Sequence, residues 1–201
     1  MTEVAAAVKP AKSLKGSQTE KNILTAFAGE SQARNRYTYY AGTATKEGYR
    51  QIAAVFAETA DQEKEHAKRL YKLLENGEVE VAAVFPAGKL GSTAANLADA
   101  AAGEKHECEA MYPEFAATAT QEGYPEIAAI FRAILVAEKR HETRYEKLLA
   151  NLQAGTVFKK PEKVRWVCRN CGYVHEGAAA PKTCPACLHE QEYFELDGMN
   201  F

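Results

Sequence analysis

Two short motifs, Glu63-x-x-His66 and Glu138-x-x-His141, each set a carboxylate and an imidazole three residues apart. On a helix that spacing puts both side chains on one face, within reach of one metal ion. A single match carries little weight, because a lone glutamate is usually solvated. Two matches carry more, because each interrupts an apolar stripe. One stripe runs Ile52, Val55, Thr59, Glu63, His66, Leu70, Leu73, and the other runs Ile127, Ile130, Ile134, Glu138, His141, Tyr145, Leu148. Buried charges without partners are costly, so several carboxylates in a helical core make sense only around cations. Glu30, on a stripe with Ile23 and Phe27, supplies a third carboxylate, and Glu104 and Glu107 are candidates for more. A simple dinuclear bundle site uses four glutamates and two histidines. The fifth, Glu107, is therefore expected to be an alternative ligand, bound in one oxidation state and released in the other. Carboxylate and imidazole suit iron or manganese and do not separate the two. Tyr37 and Tyr112 are either core filling or hydrogen-bond donors to the ligand carboxylates.

A second group of donors lies near the end of the chain. Cys168 and Cys171, then Cys184 and Cys187, form two CxxC pairs separated by 12 residues. Four thiolates at this spacing make a tetrahedral site for iron or zinc. Residues 157–201 read as a small module of a size that usually needs such a staple. Trp166, Tyr173, Tyr193 and Phe194 are its expected aromatic core. His106, His175 and His189 are read as surface or packing residues. The fifth cysteine, Cys108, is either an inert packed thiol or an oxidation-sensitive one.

The elements that must position these groups come from a repeat. ATKEGYRQIAAVFA (44–57) and ATQEGYPEIAAIFR (119–132) match at nine of 14 positions, offset by 75 residues, and the same offset maps Glu63 onto Glu138, His66 onto His141 and Tyr37 onto Tyr112. One repeated offset means two helical hairpins. The first helix is expected from Ser17 or Thr19 to Gly48, the second from Tyr49 to Asn76, the third from Ser92 or Thr93 to Gly123, and the fourth from Pro125 to Gly155. The stretch from about Glu78 to Gly91, with Pro86 and Gly88, is long enough to cross the bundle. The expectation is an all-α four-helix bundle of ferritin-like topology with one long crossover over 17–156, a flexible N-terminal tail over 1–16, and the cysteine module. Glu30 and Tyr37 are seven residues apart but Glu104 and Tyr112 are eight, so an extra residue is expected in a π-bulge, beside Pro113.

Bulk properties narrow the function. The 201 residues are 46% hydrophobic and 26% charged, with a net charge of -2, so no field favours nucleic acid or acidic membranes. No apolar run nears the ~20 residues of a membrane helix. The N-terminus places apolar residues before basic ones, the wrong order for a secretory signal, and the chain is read as cytoplasmic.

Taken together, KNILTAFAGESQARNRY, FAETADQEKEHAKRL, GEKHECEAMYPEF, AEKRHE and CRNCGYVHEG followed by CPAC resemble the rubrerythrin family. The resemblance implies a di-iron ferritin-like domain joined to a rubredoxin-like domain, reducing hydrogen peroxide to water in oxidative-stress protection. It implies that Glu63 and Glu138 bridge the irons and that Glu30 is terminal on one. Glu104 and His141 would bind the other, with His66 and Glu107 as exchanging ligands of the first. It further implies a four-cysteine iron (zinc being the other occupant) that relays electrons, a rubredoxin or NADH-dependent flavoprotein as donor, and a homodimer. Leu188 stands where rubredoxins usually have glycine. No GxGxxG fingerprint appears, so no nicotinamide site is expected. The competing readings are a ferroxidase or iron-storage protein and a zinc-ribbon interaction protein.

Overall fold

The computed structural model describes residues 12–75, 77–87 and 90–198. Residues 1–11 of the expected tail, Asn76, Gly88, Lys89 and residues 199–201 lie outside the described residues. The bundle is built from α1 (Gln18–Lys46), α2 (Arg50–Tyr71), α3 (Thr93–His106), a π-helical turn (Glu107–Met111), α4 (Tyr112–Gln121) and α5 (Pro125–Gln153). Helices α3 and α4 with the π-turn between them act as the third bundle helix. The wider turn takes up the extra residue that separates Glu104 from Tyr112. It also lets Pro113 sit near the start of α4, where its missing N–H breaks no ladder.

The helix starts follow from short polar residues. Ser17 Oγ accepts from Glu20 N–H at 3.0 Å, and Glu20 reaches back to Gly16 N–H at 2.7 Å. The hairpin turns close on Gly48 and Gly123, both left-handed, with Tyr49 N–H bonded to Ala44 C=O and Tyr124 N–H to Ala119 C=O. Each turn also caps the opposite hairpin. Glu122 accepts from Gln18 N–H, Thr19 N–H and Thr19 Oγ1 at 3.0, 2.8 and 2.6 Å, and Glu47 accepts from Thr93 N–H at 3.0 Å. These bonds, led by the Thr19 hydroxyl, hold the Glu122 carboxyl below its ordinary range.

Two expected boundaries differ. Helix α2 stops at Tyr71 rather than Asn76, because Leu73 and Leu74 bond three residues back and tighten the chain out of the α-helix. Leu73 stays buried, so the apolar pattern runs past the helix. Within residues 12–16, expected as tail, Leu14 is tied to the bundle while its neighbours stay exposed. Leu14 is 1% exposed, its N–H bonds Glu75 Oε1, and Ser13 C=O accepts from Tyr124 Oη.

Two apolar clusters fill the bundle. One holds Ile23, Leu70, Tyr112, Phe115, Ile127 and Phe131. The other holds Tyr37, Tyr40, Ile52, Phe56, Leu97 and Tyr145. Along each helix the candidate ligands fall between the two, so the bundle core is oil, then carboxylates, then oil. The C-terminal module is an antiparallel sheet of order β2-β1-β3, with β1 Lys159–Cys168, β2 Val174–Ala179 and β3 Phe194–Leu196. Trp166, Phe194, Cys168 and Cys184 form its core, with Tyr173 and Tyr193 packed against them. It meets the bundle at the first hairpin turn. Tyr49 stacks on Phe158 with centroids 6.3 Å apart, and Arg50 pairs with Glu192 at 2.8 Å while lying over the Tyr193 ring. Among the described residues no helix is long and apolar enough to cross a membrane.

Candidate metal centre

Helices α1, α2, α3 and α5 each turn glutamates inward at one level of the bundle. Glu30, Glu63, Glu104 and Glu138 are all at most 2% exposed. Their oxygens and the two imidazoles fall into two groups, Glu30, Glu63, His66, Glu138 and Glu63, Glu104, Glu138, His141, each with its donor atoms within 4.8 Å of one another. Glu63 and Glu138 stand in both groups. The imidazoles are matched across the repeat. His66 Nδ1 lies 3.0 Å from Glu63 Oε2 and 2.9 Å from Glu138 Oε1, and His141 Nδ1 lies 2.7 Å from Glu138 Oε2 and 3.2 Å from Glu63 Oε1.

The electrostatics show what the donors lack. Burial, then the charge of Glu138, pushes the Glu30 carboxyl well above its ordinary range, and burial lifts Glu104 to about 8. Burial opposes the charge of Glu63 too, but hydrogen bonds from His141 and His66 hold it at about 2. Burial works against the charge on His141, yet Glu104, Glu138 and Glu63 raise it to about 12, and His66 is raised in the same way. Protons on the imidazoles and carboxyls thus do the work of cations. Among the described residues, Glu63 Oε1, Glu104 Oε2 and Glu138 Oε1 are buried beside an imidazole Nδ1, at 3.2, 3.6 and 2.9 Å, without the geometry of a hydrogen bond. Such lone pairs in a carboxylate–imidazole set fit two hard divalent cations, so the residues present suit a dinuclear centre.

The tyrosines act across the repeat. Tyr37 Oη donates to Glu104 Oε1 at 2.5 Å, and Tyr112 Oη donates to Glu30. Burial raises both phenols well above their ordinary range, so they stay protonated donors. Glu107 is not in either donor group. It opens the π-turn and lines a cavity of about 280 Å3 with Arg36, Gln32, Phe85 and Pro86. Burial first, then Glu30 and Glu104, raises its carboxyl well above the ordinary range. A fifth carboxylate among four others would add only like charge while no cation is there. Cys108 is buried in the π-turn, where burial lifts its thiol to about 12. His106 is exposed and His175 and His189 half-buried, outside every donor group.

Two groups of residues escaped the sequence reading. Gln62 Oε1 lies 2.8 Å from His141 Nε2. Asp99 joins Arg36 at 3.3 Å and Tyr40 Oη at 2.5 Å beside Tyr37. Neither has a local signature, since each is a common polar residue whose partner is distant in sequence.

The four thiols of Cys168, Cys171, Cys184 and Cys187 also lie within 4.8 Å of one another. Two matching knuckles hold them. Gly172 N–H bonds Cys168 C=O at 2.8 Å, and Leu188 N–H bonds Cys184 C=O at 2.9 Å. Leu188 takes the left-handed conformation of Gly172, with φ 61° against 78°. The backbone N–H of His189 leads in drawing the Cys187 thiol down to about 6. Cys171 is exposed and Cys184 buried, so the site opens to one side.

Known proteins share both halves of this arrangement. The family model described as Rubrerythrin matches residues 21–149, and that described as Rubrerythrin, rubredoxin-like domain, matches residues 166–195. A rubrerythrin of Nitratidesulfovibrio vulgaris is 60% identical over 94% of this chain and 100% of its own. One from Porphyromonas gingivalis is 60% identical over 94% of this chain and 95% of its own. The solved structure of a partially reduced nigerythrin superposes with a TM-score of 0.59 at 31% identity, covering 92% of this chain and 89% of the other. With a ferritin-like carboxylate–histidine bundle and a rubredoxin-like four-cysteine module joined in one chain, the protein belongs to the rubrerythrin family.

Proposed function

We propose that this chain is a non-haem di-iron peroxidase that reduces hydrogen peroxide to water and draws electrons through its four-cysteine iron. The observation that carries the reading is the pair of donor groups sharing Glu63 and Glu138, in one chain with four clustered thiols. Glu63 and Glu138, present in both donor groups, would hold both metals. Glu30 would help hold one metal, and Glu104 with His141 the other. His66 and Glu107 are the ligands that exchange on the first metal. Glu107 suits that role because it lies next to the donor groups without joining them.

When bound, iron in such a site supplies two adjacent one-electron reductants and a Lewis acid that polarises the O–O bond. The reaction consumes one peroxide, two electrons and two protons and yields two waters. The chain's residues position and protonate. Tyr37 and Tyr112 fix the carboxylates of Glu104 and Glu30, and burial strengthens the hold of the Glu107 carboxyl on a proton beside the site. A groove of about 530 Å3 between α2 and α5 reaches His66 from the surface and admits a small neutral oxidant. The exposed Cys171 is the natural point of entry for electrons from a rubredoxin or an NADH-linked flavoprotein. Free clustered thiols suit a reducing cytoplasm.

The test is anaerobic reduction of the iron-loaded chain, then stopped-flow mixing with hydrogen peroxide, read at both iron chromophores. Rapid oxidation of the bundle irons and then of the thiolate iron is expected. Slow oxidation by peroxide but fast oxidation by dioxygen would replace this reading with a ferroxidase. A colourless thiolate site would remove the relay.

A further inference from the structure

The two Glu-x-x-His motifs are equivalent in the repeat, but the outer nitrogens of their imidazoles are not. His141 Nε2 meets Gln62 Oε1 at 2.8 Å. Gln62 Nε2 donates to Glu58 Oε1 at 3.1 Å. Glu58 is gripped by both arms of Arg144, Nη1 on Oε1 and Nη2 on Oε2, each at 2.9 Å, with Arg140 3.8 Å away. Glu58 and Gln62 are one turn apart on α2, and His141 and Arg144 one turn apart on α5. The four residues close a ring that ties together the helices carrying both motifs.

The polarity of this ring is fixed by chemistry. Arg144 can only donate and the Glu58 carboxylate can only accept. Gln62 must therefore turn its NH2 to Glu58 and its carbonyl to His141. A carbonyl accepts, so His141 must carry its proton on Nε2. In the metal-free protein the imidazolium keeps its second proton on Nδ1, facing Glu63, Glu104 and Glu138, and a metal bound there takes the place of that proton.

The repeat shows what His66 lacks. Subtracting or adding the offset of 75 maps His141 to His66 and Arg144 to Arg69, but maps Glu58 to Ala133 and Gln62 to Ala137. The ring has lost its two middle members on this side. In their place lies the groove of about 530 Å3, bordered by His66, Arg69, Glu126, Ile130 and Ala133. Among the described residues His66 makes polar contacts through Nδ1 alone, to Glu30, Glu63 and Glu138, and its side chain is 17% exposed where that of His141 is 2%.

We infer that Gln62, braced by Glu58 and Arg144, is a positioning residue that locks His141 in one tautomer and one orientation, and that Ala133 and Ala137 leave His66 unlocked. This rests on the dinuclear reading of the centre. It goes beyond it by naming the residues that decide which imidazole moves. An outer hydrogen bond orients a ligating imidazole and raises its basicity, and its loss typically weakens metal binding about 10–100-fold. The asymmetry of the centre is then set one step outside the ligands, by side chains that touch no metal.

The experiment uses the full chain loaded with zinc, which is diamagnetic, and labelled with 15N at histidine. Chelator titration first establishes that two zinc ions fill the bundle; failure at this step sinks the dinuclear reading and is separate from any result on the imidazoles. The ring N–H exchange of His141 and His66 is then compared. Slow exchange at His141 Nε2 and fast exchange at His66 are expected. Gln62→Met keeps the chain length and removes the acceptor, so it should make both rings fast and weaken one zinc about 10–100-fold. Gln62→Glu, which keeps an oxygen for the ring N–H, should restore slow exchange. Ala133→Glu with Ala137→Gln should slow His66 to the His141 rate. Equal exchange rates at the two rings in the unmodified protein, or no change at His141 in Gln62→Met, would overturn the inference.

Discussion

Tyr37, on α1, donates its phenol proton to Glu104 of α3 at 2.5 Å, and Tyr112, the repeat mate of Tyr37, donates in turn to Glu30 of α1. Each hairpin therefore orients a ligand of the other. Removing either phenol oxygen leaves a buried carboxylate oxygen without its donor. Tyr37→Phe and Tyr112→Phe should each weaken bundle metal binding by about 10–100-fold. Chelator competition reads this, with helical circular dichroism held as the control for folding. Unchanged affinity in both variants would reduce the tyrosines to core filling.

The donor groups predict unequal stoichiometries. Glu63 and Glu138 belong to both groups, whereas Glu30 belongs to one. Glu63→Gln or Glu138→Gln should cost the bundle both high-affinity metals. Glu30→Gln should weaken one and spare the other, since Glu104 and His141 keep the second group whole. Metal analysis per chain after dialysis checks this. Loss of both metals in all three variants would mean that the groups do not act as two sites.

Protons stand in for cations in the metal-free protein, and this fixes a pH dependence. Glu104 is raised to about 8 and His141 to about 12. Groups with raised values stabilise the fold fully below their unfolded values. As pH rises past about 4.5 and then 6.5, the unfolded chain sheds protons that the folded one keeps, and stability falls. Glu63, held at about 2, acts oppositely and only at acid pH. Metal-free protein should therefore lose stability from about pH 5 to 8, by about 1.4 kcal/mol per pH unit for each proton retained. Metal-loaded protein should not, because the metals have displaced those protons. Denaturant midpoints of both forms across that range decide it, and a flat metal-free profile would contradict it.

Leu188 holds a left-handed backbone at φ 61° that its mate Gly172 adopts freely. A side chain there costs about 1–2 kcal/mol, while glycine gives back part of that by loosening the unfolded chain. Leu188→Gly should stabilise the cysteine module by about 0.5–1 kcal/mol. The side chain is 77% exposed, so no packing is lost. Thermal bleaching of the metal–thiolate colour measures the gain; a lower midpoint would show that Leu188 has contacts of its own.

Much of this centre is legible in the sequence because its residues break local rules. Glu63, His66, Glu138 and His141 sit where a helical stripe demands apolar side chains, and a separation of eight residues from Glu104 to Tyr112, against seven from Glu30 to Tyr37, announces the π-turn. CxxC pairs announce themselves by spacing alone. Gln62, Asp99 and Glu122 stay hidden because they break no local rule, and what they do depends on partners 79, 59 or 63, and 103 or 104 residues away. The end of α2 falls short of its expected place because Leu73 keeps the apolar rhythm after the helix has stopped. Leu14 reads as tail because one buried leucine in a short polar segment has no periodicity to reveal it.

Glu122 caps the start of α1 and Glu47 caps the start of α3, so neither hairpin completes its own first helix. Two copies of one hairpin, related by a two-fold axis through the metals, would complete each other in just this way. A pair of identical half-length chains could assemble the same centre, but any substitution in it would appear twice. Fusing the copies frees them from that symmetry. Only in a joined chain can one copy keep alanines at 133 and 137 while the other carries Glu58 and Gln62, and only there can a single copy accept the extra residue of the π-turn. Two donor groups built on equivalent motifs can thus differ from each other, because the halves of a joined chain need not stay symmetric.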